Sequence, residues 1–171
     1  MAIRVPLVRP DLGEAEAAEA RRVVLSGWVT QGPEVAALET EFAAAMSAPH
    51  AVAVANCTVA LELALRCAGV KAGDDVVTVS HSFIATANAI VAVSARPVFC
   101  DVEEDTFGMD PRALTRAITK ATRAIVCVHQ IGMPCDLPGI LAVAAQHGLP
   151  VIEDAAFRLS QSNPIPTWGS T

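Results

Sequence analysis

The chain has 171 residues, 53% of them hydrophobic and 18% charged, with a formal net charge of -6 and a pI near 5.1. This length suits one domain with a real core, and the acidic balance argues against nucleic-acid binding, which calls for a basic stripe. Charges or turn residues break every apolar run well short of the roughly 18 residues of a membrane span, and MAIRVPLVRPDLGEAEAAEARR lacks a signal-peptide pattern, so a cytoplasmic protein is expected.

In chain order, helices are expected over Asp11–Ser26 and Glu34–Met46, the second carrying Val35, Leu38, Phe42 and Ala45 on one stripe before the Ala48-Pro49 break. From residue 51 onward, β-branched runs alternate with helical patterns every roughly 20 to 27 residues, the rhythm of repeated βαβ units. Strands are expected at Ala51–Ala55, Val76–Ser80, Pro97–Val102, Ala124–His129 and Pro150–Asp154, with little polar alternation because both faces are covered. Between them, Val59–Ala68 reads as a helix closed by Gly69. Asp110-Pro111 and Asp136 with Pro138 each offer a cap and a proline in the first turn of a further helix. The predicted fold class is α/β, a three-layer, mainly parallel sheet with helices on both faces. Ser160–Thr171 reads as an irregular tail.

Cys57, Cys67, Cys100, Cys127 and Cys135 are odd in number with no C-x-x-C pair, so they are expected to be small buried hydrophobes rather than a disulfide framework or a zinc site. His50, His81, His129 and His147 are scattered, and no metal is expected.

Ligands of open parallel sheets bind beyond the carboxyl ends of the strands, which directs attention to three turns. Asn56-Cys57-Thr58 leads into a helix whose free N–H groups and dipole suit a phosphate; an ordinary N-cap by Thr58 explains the same residues. Ser80-His81-Ser82-Phe83 ends in a ring able to stack on a planar heterocycle, or to fill the core. Glu153-Asp154 closes an apolar run with two carboxylates. One of them can hold a pyridinium nitrogen protonated, or Asp154 can cap a helix.

Together these positions belong to a longer pattern. Gly27-Trp28-Val29-Thr30-Gln31-Gly32-Pro33, Asp74–Thr78 with Ser82–Asn88, Arg96–Val102, Val128–Asp136 and Val151–Ala156 are five ordered blocks. They resemble the DegT/DnrJ/StrS family of fold-type I, pyridoxal-phosphate-dependent sugar aminotransferases, over about Gly27 to Ala156. The resemblance implies a partial large domain over residues 1–159, with helices and a substrate loop in 1–50 and repeated βα units in 51–156. It also implies roles: Cys57 and Thr58 on the cofactor phosphate, Phe83 stacked on the ring, Asp154 on the ring nitrogen, and Thr30 beside the substrate. It further implies a homodimer that moves an amino group from glutamate or glutamine to a keto-sugar attached to a nucleotide.

The sequence departs from that pattern twice. Phe157-Arg158 stands where the family usually has Gln or His after the aspartate block, and no counterpart of the family's Schiff-base lysine is present. The lysines are Lys71 and Lys120, both expected at the wrong end of the sheet. Two readings follow: an N-terminal part of such an enzyme, inactive as this chain alone, or a non-catalytic cofactor-binding or dimerising module. A truncated sheet would expose an unpaired edge and dissolve poorly. A Rossmann dehydrogenase is disfavoured because Ala55–Ala60 has none of the glycines a pyrophosphate needs.

Overall fold

The computed structural model describes residues 11–157. The chain divides into two compact units, Met1–Ala53 and Val54–Thr171. The predicted tail Ser160–Thr171 lies outside the described residues.

In the first unit, α1 spans Glu14–Ser26 and α2 spans Pro33–Ala45. Glu16 reaches back to the Gly13 N–H at 2.7 Å and closes the start of α1. Arg22 then ties the helices together, bonding Glu19 at 2.7 Å and both oxygens of Glu34 at 3.0 and 2.9 Å. Between the helices, the Trp28 indole N–H donates to the Gln31 carbonyl at 3.1 Å and lies where a side chain on residue 32 would stand, so a larger residue than Gly32 would have to displace the ring. Leu38 and Phe42 of the predicted stripe remain exposed.

The expected strand at Ala51–Ala55 does not form. An apolar run supplies propensity, but a strand exists only where a neighbour completes its ladder. Here the Ala53 N–H donates instead to the Glu39 carboxylate at 2.8 Å, and Val52 is 77% exposed.

The second unit holds a four-stranded parallel sheet of β1 (Asp75–Val79), β2 (Arg96–Cys100), β3 (Thr122–Val128) and β4 (Val151–Asp154) in the order β2-β1-β3-β4. Four of the five expected strands are therefore present, with ends shifted by at most two residues. Pro97 is accommodated because β2 is an edge strand and needs no second ladder. Val102 lies beyond β2, in an isolated antiparallel bridge with Met109.

Helices α3 (Cys57–Cys67) and α4 (Ile84–Ala92) cover one face of this sheet, and α5 (Pro111–Ala117) and α6 (Leu137–His147) the other. Alternation along the strands feeds both cores. Val76, Ala124 and Val126 pack with Leu61, Leu65, Ala89 and Ile90, whereas Val77, Ile125 and Cys127 pack with Leu114, Ile140 and Ala144. The anticipated caps are in place: Asp110 accepts from the Arg112 N–H at 2.8 Å, Asp136 from the Gly139 N–H at 3.1 Å, and Gly69 follows α3 at φ 79°. Cys100, Cys127 and Cys135 are buried as expected, whereas Cys57 and Cys67 are exposed.

Candidate active site

The strand order reverses between β1 and β3, because the chain steps from β1 outward to β2 and then returns to the other side of β1. Loops leaving neighbouring strands part at such a point and open a crevice at the carboxyl ends. A cavity of about 350 Å³ lies at this end of the sheet, lined among others by Asn56, Cys57, Thr58, Phe83, Gln130 and Asp154.

The α3 wall presents a helix N-terminus. Asn56 is the cap, its side chain accepting from the Val59 N–H at 3.0 Å. The expectation that Thr58 itself caps is corrected: Thr58 lies inside the first turn, and Asn56, in an extended conformation, has the backbone a cap requires. Asn56 occupies a single donor, so helix geometry leaves the N–H groups of Cys57 and Thr58 without intrahelical acceptors, at the positive end of the dipole. Thr58 adds a hydroxyl to the same lining.

Phe83 is the residue preceding α4 and is 71% exposed. The core-packing alternative therefore fails for this ring. Its place before the first turn of α4 sets it on the cavity wall rather than between helix and sheet.

The two carboxylates at the end of β4 separate by strand alternation. Glu153 bonds the His129 Nε2 at 2.9 Å, while Asp154 lines the cavity. Asp154 is buried, and its Oδ2 accepts from the Thr86 hydroxyl at 2.7 Å. Thr86 in turn lies 2.7 Å from the Ser82 hydroxyl. The other oxygen, Oδ1, accepts from the Cys57 thiol at 3.7 Å and the Ala156 N–H at 3.3 Å. No described helix follows Asp154, so the N-cap alternative is replaced by this turn bond to Ala156. Desolvation, then the neighbouring Asp154 charge, push the Cys57 thiol above its usual value and keep it protonated.

Thr86 was not among the expected site residues, although its signal was legible: Ser82, just before α4, and Thr86, in its first turn, are hydroxyls four apart. Gln130 was also missed; it begins a 3-10 turn, Gln130–Gly132, that the strand pattern does not announce. Thr30 belongs to the first unit, where it is exposed and lines a cleft of about 650 Å³ with Arg22, Trp28 and Glu34. Lys71 precedes β1 and Lys120 precedes β3, so both lie at the amino ends of the strands, opposite the cavity.

A family model described as the DegT/DnrJ/EryC1/StrS aminotransferase family matches residues 10–160. The spore coat polysaccharide biosynthesis protein SpsC of Bacillus subtilis (strain 168) is 47% identical over 152 residues, which is 89% of this chain and 39% of that protein. Among solved structures, an aminotransferase from Psychrobacter cryohalolentis superimposes with a TM-score of 0.85 at 41% identity, covering 87% of this chain and 38% of the other. Bacillus subtilis NtdA, solved with bound cofactor PMP, gives a TM-score of 0.85 at 30% identity over 91% of this chain and 37% of its own. The chain thus spans well under half the length of each of these relatives. With the parallel sheet, the cavity at its switch point and a match that runs through all of the described residues, the chain belongs to the DegT/DnrJ/EryC1/StrS aminotransferase family.

Proposed function

We propose that this chain is the cofactor-holding front half of the large domain of a pyridoxal-phosphate-dependent aminotransferase, and that it binds the cofactor without turning over substrate on its own. The observation that carries this reading is the convergence of three unlike groups on one cavity: the α3 N-terminus, the exposed Phe83 ring and the buried Asp154 carboxylate. Each suits a different part of a phosphorylated pyridine. The free N–H groups of Cys57 and Thr58, with the Thr58 hydroxyl, suit the phosphate. The Phe83 face suits the ring, and Asp154 suits a protonated ring nitrogen.

When bound there, the pyridoxal group would supply an electron sink for a carbanion at a substrate carbon. Asp154 contributes by holding the proton at the ring nitrogen. Thr86 and Cys57 each spend a donor on that carboxylate, which keeps it oriented within a largely apolar wall. Phe83 fixes the ring plane and covers it from water on one side.

In the longer enzyme, the substrate is a keto-sugar attached to a nucleotide, the amino donor is glutamate or glutamine, Thr30 borders the sugar nucleotide, and the working form is a cytoplasmic homodimer. The family blocks support these assignments, as does the polysaccharide-biosynthesis role printed for SpsC. With both lysines at the far end of the sheet, the described residues place no lysine amine at the cavity to hold the cofactor covalently or to carry a proton between carbon centres.

Titration of the purified chain with pyridoxal phosphate, followed by borohydride reduction and peptide mapping, tests this reading. Saturable, reversible binding with no lysine labelled is the expected result. Specific labelling of Lys71 or Lys120 would overturn the non-covalent mode, and an absence of saturable binding would overturn the site.

A further inference from the structure

The turn after β1 starts a row of hydroxyls that ends on Asp154. Ser82 stands just before α4, its N–H donating to the Ser80 carbonyl at 3.0 Å, and its hydroxyl lies 2.7 Å from that of Thr86. Thr86 Oγ1 in turn lies 2.7 Å from Asp154 Oδ2. A carboxylate only accepts, and Thr86 has a single hydroxyl proton, so that proton goes to Asp154 and Ser82 must be the donor to Thr86. The row therefore runs one way, from Ser82 through Thr86 to Asp154.

A carboxylate offers about four lone-pair positions. On Asp154, Oδ1 receives the Ala156 N–H at 3.3 Å and the Cys57 thiol at 3.7 Å, whereas Oδ2 receives Thr86 alone among the described residues. One position therefore remains for a ligand, on the oxygen that Thr86 holds. Because two acceptor directions at one oxygen are set by the same lone pairs, the direction of the Thr86 bond decides where the remaining one points.

We propose that Ser82 is a positioning residue for the ring-nitrogen contact: by donating to Thr86 it holds the Thr86 proton on Asp154 Oδ2 and so aims the remaining Oδ2 lone pair at the cavity. This role rests on the cofactor reading above, in which that lone pair takes the N–H of a pyridinium. A threonine hydroxyl in the first turn of a helix is otherwise free to turn its proton toward a backbone carbonyl of the preceding residues. Donation from Ser82 removes that freedom, and the two bonds in series polarise one another. Ser82 lines the same cavity and is only partly buried, whereas Thr86 and Asp154 are buried. It is thus the member of the row whose hydroxyl can be removed with the least disturbance of packing.

The test uses the whole chain and pyridoxal phosphate isotopically labelled at the ring nitrogen, followed by calorimetric titration and by the nitrogen NMR resonance of the bound ring, which moves when that nitrogen loses its proton. Saturable binding with the resonance at its protonated position is expected for the parent. Ser82→Ala should bind about threefold to tenfold more weakly, the range for one neutral hydrogen bond, with the bound resonance displaced toward unprotonated pyridine. Ser82→Thr keeps a hydroxyl and should restore both. Because Ser82 acts through Thr86, adding Ser82→Ala to Thr86→Val should change affinity by less than about twofold. Circular dichroism checks that each variant is folded, and Ser82→Ala decides alone if Thr86→Val does not fold. A parent-like resonance in Ser82→Ala would overturn the proposal, since a merely structural or contact role changes occupancy and not ring protonation; so would an equal loss from Ser82→Ala with and without Thr86. An absence of saturable binding by the parent would overturn the cofactor reading and this role together, whereas saturable binding with an unmoved resonance overturns the role alone.

Discussion

Thr86, in the first turn of α4, donates a 2.7 Å hydrogen bond to Asp154, the last residue of β4, across 68 residues of sequence. Both residues are buried, and the bond joins the helix that follows one strand to the end of another. It therefore serves the fold and the site together. Thr86→Val keeps the shape and removes the donor, so the carboxylate loses its 2.7 Å partner. The expected cost is about 1.5–3 kcal/mol of stability, the range for a hydrogen bond to a charged group. Urea denaturation measures this, and weaker pyridoxal phosphate binding should accompany it.

Asn56 permits the capping and phosphate roles of the α3 N-terminus to be separated. Asn56→Ala should cost about 1 kcal/mol through loss of the cap. Asn56→Asp retains the cap, because a carboxylate oxygen accepts from Val59 equally well, yet it places a negative charge beside the proposed phosphate position. Thermal stability close to that of the parent, combined with clearly weaker cofactor binding, is the expected pattern; equal binding by the two proteins would argue that the phosphate sits elsewhere.

Phe83 is exposed, so its removal should leave the fold almost untouched. Phe83→Ala is expected to change the melting temperature little while weakening cofactor binding by about 0.5–1.5 kcal/mol, the worth of an aromatic stacking pair. Calorimetric titration beside a melting curve would reveal the difference.

At the other end of the sheet, Arg96 grips buried Asp75 with two hydrogen bonds of 2.7 and 2.8 Å. This grip holds the Asp75 carboxyl below its ordinary value of 3.8. A depressed carboxyl binds protons more readily in the unfolded chain than in the folded one. Its contribution is therefore complete above 3.8 and is lost as pH falls through the lower folded value. Arg96→Gln should flatten the acid limb of a stability–pH curve below about pH 4 while changing the neutral plateau only modestly, because the Arg96 side chain is largely solvent-exposed and screened.

Much of this architecture was legible in the residues themselves. Buried parallel strands need unbroken apolar runs, and helices need a 3.6-residue stripe and a cap, so β1 to β4, α3, α5 and α6 declare themselves through local chemistry. The caps Asp110 and Asp136 and the stop at Gly69 are local for the same reason. The turns after β1 and β4 that line the cavity were also locatable, because in a parallel sheet they must follow strands, whereas Asn56–Thr58 follows no described strand and was marked only by its helix N-terminus.

Choices between equally local alternatives required the tertiary structure. Whether Ala51–Ala55 becomes a strand depends on a neighbour to pair with, and the Ala53 N–H goes to Glu39 instead. Whether Phe83 enters the core depends on where α4 begins, and which of Glu153 and Asp154 faces the cavity depends on the side to which β4 turns each of them. The Thr86–Asp154 and His129–Glu153 bonds arise only after strand order brings distant atoms within about 3 Å. By itself, the sequence determined the elements and the chemical types available to a cofactor, because propensity and periodicity are properties of neighbouring residues. The tertiary structure decided which of those groups meet, because hydrogen bonds and burial depend on distances that the chain sets only once it has folded.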